Sequence, residues 1–370
     1  MSHAGPLRLL LGLLLPLLLA GSPPARAQED NPLRTAVDGI AQPFFEEEAV
    51  PRAMVAVSRR GVLHYFGYSG TGAEPLGRDS IVEIGSITKV FTTALLQQSV
   101  DAGTLSLDTP LGAALPDADL RPCTARITLR QLADFRSGMP LLPGGVPRAL
   151  RDRGIETYTT ADYLGWLSRW TPGEEPDCGL PAPYFYSNAS VGLLGPVLAR
   201  ANGMDWERQI AEAITIPLGM TDTMARPGPE RRARVVHGWT RNGERAPDWP
   251  FYAWYAAGAL RSTPADMLRF GEAALGHATT EAGPVPPALG KALAEAMQPI
   301  YKPREMRAAQ GLAWAIADDG AGAAYKDGGT AGFNTVLVVD PASDTTIFIA
   351  ANRAGTPVQR LGLELIRAMP

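Results

Sequence analysis

Two short runs rich in β-branched and aromatic residues, Met54 to Val57 and Val62 to Phe66, flank Arg59-Arg60-Gly61 and predict a β-hairpin. After Ile84-Gly85 the period changes. Val90, Phe91, Ala94 and Leu95 recur at three- and four-residue spacing, which predicts an amphipathic helix ended by Gly103 and puts Ser86 at or near its N-terminus. The middle third carries further helix starts, Thr128 before Leu129-Arg130-Gln131-Leu132 and Thr160 before Ala161-Asp162-Tyr163-Leu164. A helix over Ala189 to Ala201 closes on Asn202-Gly203. Loops dense in proline and glycine separate them, around 140–147 and 171–183. Strand character returns in Phe333 to Asp340 and Thr345 to Ala351, joined by Pro341-Ala342-Ser343-Asp344, and Thr356-Pro357 opens a last helix over Leu361 to Met369. Strands at both ends enclosing helices imply a sheet assembled from distant segments.

The first 27 residues stand outside this pattern. Arg8, the apolar run Leu9 to Ala20 and Ala25-Arg26-Ala27 have the layout of a secretory signal peptide, so the mature chain is expected to begin near Gln28. An uncleaved anchor fits less well, because the run is shorter than the roughly 20 residues a span needs and contains Pro16. The expected location is periplasmic or secreted, with no stable membrane anchor after cleavage. The full chain has 34 basic and 38 acidic residues, and losing Arg8 and Arg26 leaves 32 bases against the same acids. That mildly acidic balance argues against nucleic acid as a partner. About 340 residues suit one large domain or two intertwined ones. Cys123 and Cys178, the only cysteines, are a disulfide candidate in an oxidising compartment, with two free buried thiols as the alternative.

Chemistry first shows at Ser86-Ile87-Thr88-Lys89, where a hydroxyl and an amine three residues apart share one helix face. A serine needs a base to become a nucleophile, and lysine serves when burial or nearby positive charge lowers its pKa; arginine cannot. Lysine is scarce here, only Lys89, Lys291, Lys302 and Lys326, so the pairing carries information. Tyr186-Ser187-Asn188 follows a proline-rich loop and precedes a helix. Beside two lysines its phenol could act as base or acid, while on its own Ser187 or Asn188 could simply cap the helix and Tyr186 pack. Lys326-Asp327-Gly328-Gly329-Thr330 runs toward a strong strand through glycines that let backbone approach a ligand, and an N–H there could join that of Ser86 as an oxyanion hole. A plain hairpin turn is the other reading. No Gly-x-Ser-x-Gly, His-Glu-x-x-His or cysteine-rich metal pattern occurs, and Glu83 reads as structural.

In order and spacing these three elements resemble those of the penicillin-recognising serine enzymes, nearest to class C β-lactamases and their peptidase and esterase relatives. The likeness runs from Met54 almost to the C-terminus and includes Glu83-Ile84-Gly85-Ser86, Tyr186 to Gly192, Gln310-Gly311-Leu312-Ala313-Trp314 and Ala350-Ala351-Asn352. The resemblance implies an α/β (α+β) fold, an antiparallel sheet flanked by helices plus a helical region. Residues 28–370 would form the catalytic domain, with the α/β part at about 28–85 and 225–370 and the mainly helical part at about 86–224. It further implies Ser86 as nucleophile, Lys89 as its activator, Tyr186 as general base or acid, and Lys326 keeping that tyrosine poised. Asn188 would contact the substrate amide, Asp327, Gly328, Gly329 and Thr330 would line the substrate, and Asn352 would assist carboxylate recognition. Ser86 and Gly329 would supply the oxyanion N–H groups. No cofactor and no metal are implied, the substrate being a small molecule or peptidoglycan-derived and the protein a monomer.

Two departures bear on substrate. Asp327 stands where the family usually has a hydroxyl residue that holds a substrate carboxylate, and Leu141-Leu142 are apolar where a polar amide is common. An acid at that place repels a carboxylate, so a carboxylesterase on the same scaffold is the alternative to β-lactam or D-alanyl-peptide hydrolysis, with a non-catalytic penicillin-binding or sensor domain as a third reading.

Overall fold

The computed structural model describes, besides Met1, residues 32–70, 72–146, 157–250, 252–277, 283–318 and 322–369. The expected signal peptide therefore lies outside the described residues. Among those described, no helix is long and apolar enough to cross a membrane.

The opening hairpin is β1 (Arg52–Arg59) and β2 (Val62–Ser69), longer at both ends than the apolar runs. Arg60 and Gly61 form its two-residue turn, both at positive φ, which matches the twist of the flanking strands. Later strands follow as β3 (Val82–Glu83), β4 (Arg261–Ser262), β5 (Ala308–Gln310), β6 (Ala315–Ala317), β7 (Ala324–Gly329), β8 (Asn334–Asp340) and β9 (Thr345–Ala351). Seven of them make one antiparallel sheet in the order β2-β1-β9-β8-β7-β6-β5, and β3 pairs with β4 separately.

Both faces of the sheet centre are covered, which is why β8 and β9 read as continuous apolar runs rather than alternating ones. On one face Val55, Val57, Val336, Val338, Ile347 and Ile349 pack with Leu33, Val37 and Phe44 of helix α1 (Pro32–Glu47) and with Leu361 and Leu365 of the C-terminal helix Val358–Ala368. On the other, Met54, Ala56, Leu337, Val339, Phe348 and Ala350 join the core of the helical region. At the centre of that region is α2 (Thr88–Asp101), buried nearly all round.

Three elements differ from the sequence expectation. The helix over 189–201 is two, Asn188–Gly192 and Leu194–Asn202. Pro196 has no N–H to give and its ring collides with the carbonyl four residues back, on Gly192, so the helix breaks at Leu193 and restarts at Leu194. The helix Thr160–Leu167 is capped by Thr159 rather than Thr160, because the Asp162 carboxylate accepts the Thr159 N–H at 2.9 Å and completes a capping box. Helix α1 was not anticipated, although Leu33, Val37, Ala41 and Phe44 keep its period.

Cys123 and Cys178 are disulfide-bonded with Cα atoms 5.2 Å apart, and no described cysteine is free. The bridge closes a loop of 55 residues. In the chain-entropy picture such a loop contributes about 4 kcal/mol. Replacing both cysteines by alanine is expected to lower the unfolding free energy in urea by about that amount, and an unchanged midpoint would show that the bridge contributes nothing.

Candidate active site

Ser86 lies in the 3-10 turn Gly85–Ile87 that runs straight into α2, so it precedes the α-helix by one short turn instead of capping it. Gly85 has φ +52°, and a Cβ there would stand 2.8 Å from both the amide nitrogen and the carbonyl oxygen of Gly329. Only glycine allows the backbone of Ser86 and that of β7 to approach so closely. One turn beyond Ser86, Lys89 is fully buried. Its Nζ is 2.9 Å from Ser86 Oγ, 2.6 Å from Asn188 Oδ1 and 2.7 Å from the carbonyl oxygen of Ala257. The last partner is held by α2 itself, since Thr92 donates its hydroxyl to Ala256 O and Thr88 Oγ1 accepts from Leu260 N–H.

That coordination has a chemical meaning. Asn188 Oδ1 and Ala257 O can only accept, so they take two N–H bonds of the amine, and a neutral lysine has its lone pair left for the Ser86 proton. Burial drives the Lys89 pKa well below the ordinary lysine value, the charge of Lys326 lowers it further, and Asp327 opposes them.

Tyr186 packs at a tilt against Phe135, with ring centroids 4.9 Å apart. Lys89 Nζ and Lys326 Nζ stand 4.9 and 5.2 Å from its ring. Burial raises the phenol pKa, while Lys326 and hydrogen bonding with Ser86 pull it down. The capping reading of the Tyr186-Ser187-Asn188 segment holds for Ser187. Ser187 caps its helix by accepting Ser190 N–H and donates to Pro140 O at 2.6 Å, while Asn188 turns its amide oxygen onto Lys89.

From Lys326 onward β7 is paired on one edge only. β6 reaches only Ala324 and Tyr325, whereas β8 pairs through Gly329 with Asn334. Gly328 has no room for a side chain, since a Cβ would overlap Ile84 O and crowd Thr335 Oγ1, which itself donates to Ile84 O at 3.0 Å. Gly329 is open, with only Asn334 Nδ2 in reach of a Cβ, at 3.5 Å.

Lys326 is buried, and its Nζ donates to Asp327 Oδ1 and to Asp327 O, both at 2.7 Å. Burial works against its charge, yet Asp327 and Tyr186 prevail and hold its pKa above the usual value. Lys326 in turn holds the Asp327 carboxyl below its usual range, although half of that side chain meets solvent. The sequence alone left open whether this acid faces the site. It does, folded onto the site's second lysine.

Two residues expected at the substrate have their polar groups engaged elsewhere. Thr330 donates its hydroxyl to Glu83 Oε2 at 2.6 Å, and Asn352 is buried with Oδ1 on Arg52 N–H and Nδ2 on His237 O. Sequence reasoning missed Ala257, whose contribution is a carbonyl that any residue supplies. Leu141 and Phe185 are exposed beside the site, Leu141 O accepting from Asn188 N–H and Phe185 preceding Tyr186.

Fold and site together are those of a serine hydrolase. The family model "Beta-lactamase" matches residues 37–368, and the chain belongs to that family. It is 25% identical over 295 residues to a β-lactamase of Lysobacter lactamgenus, covering 79% of this chain and 70% of that one. It is 30% identical over 236 residues to the D-alanyl-D-alanine-carboxypeptidase/endopeptidase AmpH of Escherichia coli K12, covering 61% and 58%. The same fold occurs in a class C β-lactamase of Rhodobacter sphaeroides, with TM-score 0.77 and 23% identity over 90% of this chain and 99% of that one.

Proposed function

We propose that the chain is an exported hydrolase that forms an acyl-enzyme on Ser86, with a β-lactam or a D-alanyl peptide as acyl donor. The observation that carries this reading is the Lys89 amine, buried, held by two acceptors and aimed at Ser86 Oγ. Neutral Lys89 takes the Ser86 proton as Oγ bonds to the substrate carbonyl carbon. The oxyanion sits against the N–H groups of Ser86 and Gly329. Tyr186, kept protonated by burial, gives its proton to the leaving nitrogen as the acyl bond breaks. Its phenolate, beside charged Lys326, then takes a proton from water as that water attacks the ester, and Lys89 returns its proton to Ser86 Oγ as the ester bond breaks, which frees Ser86 and leaves Lys89 neutral again. Export is supported by Arg8, Leu9 to Ala20 and Ala25 to Ala27, giving a periplasmic or secreted monomer with residues 28–370 as one catalytic domain.

A carboxylesterase is the second reading, favoured by the Lys326–Asp327 pair and by the apolar Leu141 and Phe185. A carboxylate entering beside Lys326 meets Asp327 first, and an ester need carry none. Mature protein and Ser86→Ala are compared on a fluorescent penicillin, a chromogenic cephalosporin and a short acyl ester. Stable labelling marks a peptidase, rapid cephalosporin loss a β-lactamase and ester cleavage alone an esterase; activity equal in Ser86→Ala removes the mechanism.

Asp327→Thr is expected to raise cephalosporin kcat/KM by about 10-fold by removing the repulsion. The same change shifts the acid limb of the pH profile to lower pH. Asp327 raises the Lys89 pKa, so without it Lys89 loses its proton earlier as pH rises. An acid limb that stays in place, or moves up, contradicts the assignment of Lys89 as base.

A further inference from the structure

Thr330 is not free to meet a substrate, and what holds it points to a residue outside the three motifs. We propose that Glu83 is a positioning residue for the oxyanion pocket, acting through Thr330 on the N–H of Gly329. This rests on the acyl-enzyme reading of Ser86.

Glu83 ends β3, just ahead of Ile84, Gly85 and Ser86, and its side chain is buried. Oε2 accepts the Thr330 hydroxyl at 2.6 Å, Oε1 accepts Trp249 N–H at 2.9 Å, and the Arg261 guanidinium stands 3.6 Å away. Burial pushes its carboxyl pKa up, and Thr330, Arg261 and Trp249 oppose that. Hydrogen bonds to an ionised acceptor are shorter and stronger than neutral ones.

Thr330 is the centre of the turn that follows Gly329. Its oxygen accepts from Gly332 N–H at 3.3 Å and Phe333 N–H at 3.1 Å, and its own N–H donates to Phe333 O at 3.0 Å. Trp239 N–H secures Gly332 O from outside the turn. The turn is thus closed around a hydroxyl whose one proton goes to Glu83.

The two oxyanion donors arrive on different parts of the chain, Ser86 N–H three residues after Glu83 and Gly329 N–H one residue before Thr330. The Glu83–Thr330 bond links these two short segments and sets the spacing between the donors. Stabilisation of an oxyanion depends steeply on that spacing, because the donors must already aim at where the charge develops.

The test uses a short acyl ester and its thiono analogue, in which sulfur replaces the carbonyl oxygen and fits an oxyanion hole poorly. Thr330→Val is expected to lower kcat on the oxygen ester about 10- to 100-fold with KM within about 3-fold of wild type. Preference for oxygen over sulfur should shrink in parallel, and Thr330→Ser, which keeps the hydroxyl, should restore both. Adding Glu83→Gln to Thr330→Val should cost no further activity, since the shared bond is already lost. Melting temperature is followed in each variant, so that a loss of folded protein is separated from a loss per folded molecule. Unchanged kcat in Thr330→Val, or a loss equal for oxygen and sulfur esters, overturns the proposal while Ser86-dependent turnover leaves the acyl-enzyme reading standing. Turnover that survives Ser86→Ala overturns both.

Discussion

Lys89→Arg is expected to lower kcat about 10²- to 10⁴-fold on any substrate that acylates Ser86, the range a positioned general base supplies. Arginine keeps its charge under any condition a protein survives, so it offers Ser86 Oγ only donors and no lone pair. The surroundings sharpen the contrast. Asn188 Oδ1 and Ala257 O would still be served by guanidinium N–H groups, so the hydrogen bonds of the pocket can be kept while its basicity is removed. Lys89→Met, close in length and uncharged, controls for crowding by the larger head. Both variants should bind substrate without forming acyl-enzyme, read as covalent labelling by a fluorescent penicillin or as single-turnover ester cleavage. An arginine variant within about 10-fold of wild type would show that the proton leaves Ser86 by another route, with Tyr186 the remaining candidate.

Gly328→Ala is expected to be among the most damaging single methyl additions at the described glycines. The added carbon would overlap the Ile84 carbonyl and press on Thr335 Oγ1, the two partners of the hydrogen bond that ties the start of the serine turn to β8 alongside β7. A backbone oxygen cannot rotate away as a side chain does, so β7 must separate from Ile84. The expected cost is about 3 kcal/mol in urea unfolding, at the upper end for overpacking, with about a 100-fold loss of kcat as Gly329 N–H leaves its place. Gly329→Ala provides the contrast, because its Cβ meets only Asn334 Nδ2 at ordinary contact distance, and its stability should stay within about 0.5 kcal/mol of wild type. Equal stability losses at the two positions would show that the approach of β7 to Ile84 is not the constraint.

Periodicity in the sequence was enough for the hairpin, α2 and the last two strands, because each is long and its apolar pattern is undiluted. It was not enough for β5 and β6, three residues each and rich in alanine, too short and too small in side chain to show a period even though they pair with each other across a short connection. The break at Leu193 was legible in Pro196 itself. Within the site, Ser86 and Lys89 could be picked out by residue type and spacing, since few side chains have the required chemistry, whereas Tyr186 and Lys326 stood out only through the order of the three elements in the family they resemble. The direction of a side chain is a tertiary property. Nothing local told that Asp327 folds onto Lys326, that Thr330 faces Glu83 or that both ends of the Asn352 amide are taken by backbone.

Strand order has a further effect, on when the protein comes into being during synthesis. β1 leaves the ribosome early, yet its inner neighbour is β9, with Arg59 opposite Thr345 and Ala53 opposite Ala351. Until the last strand is made, β1 has β2 on one side and a bare edge on the other, and β8 likewise waits for its partner. Ser86 is translated long before the sheet that presents Gly329 to it can close. A chain cut short between Asp340 and Thr345 would carry every catalytic side chain named above and still expose two sticky edges, making it an aggregating species rather than a weak enzyme.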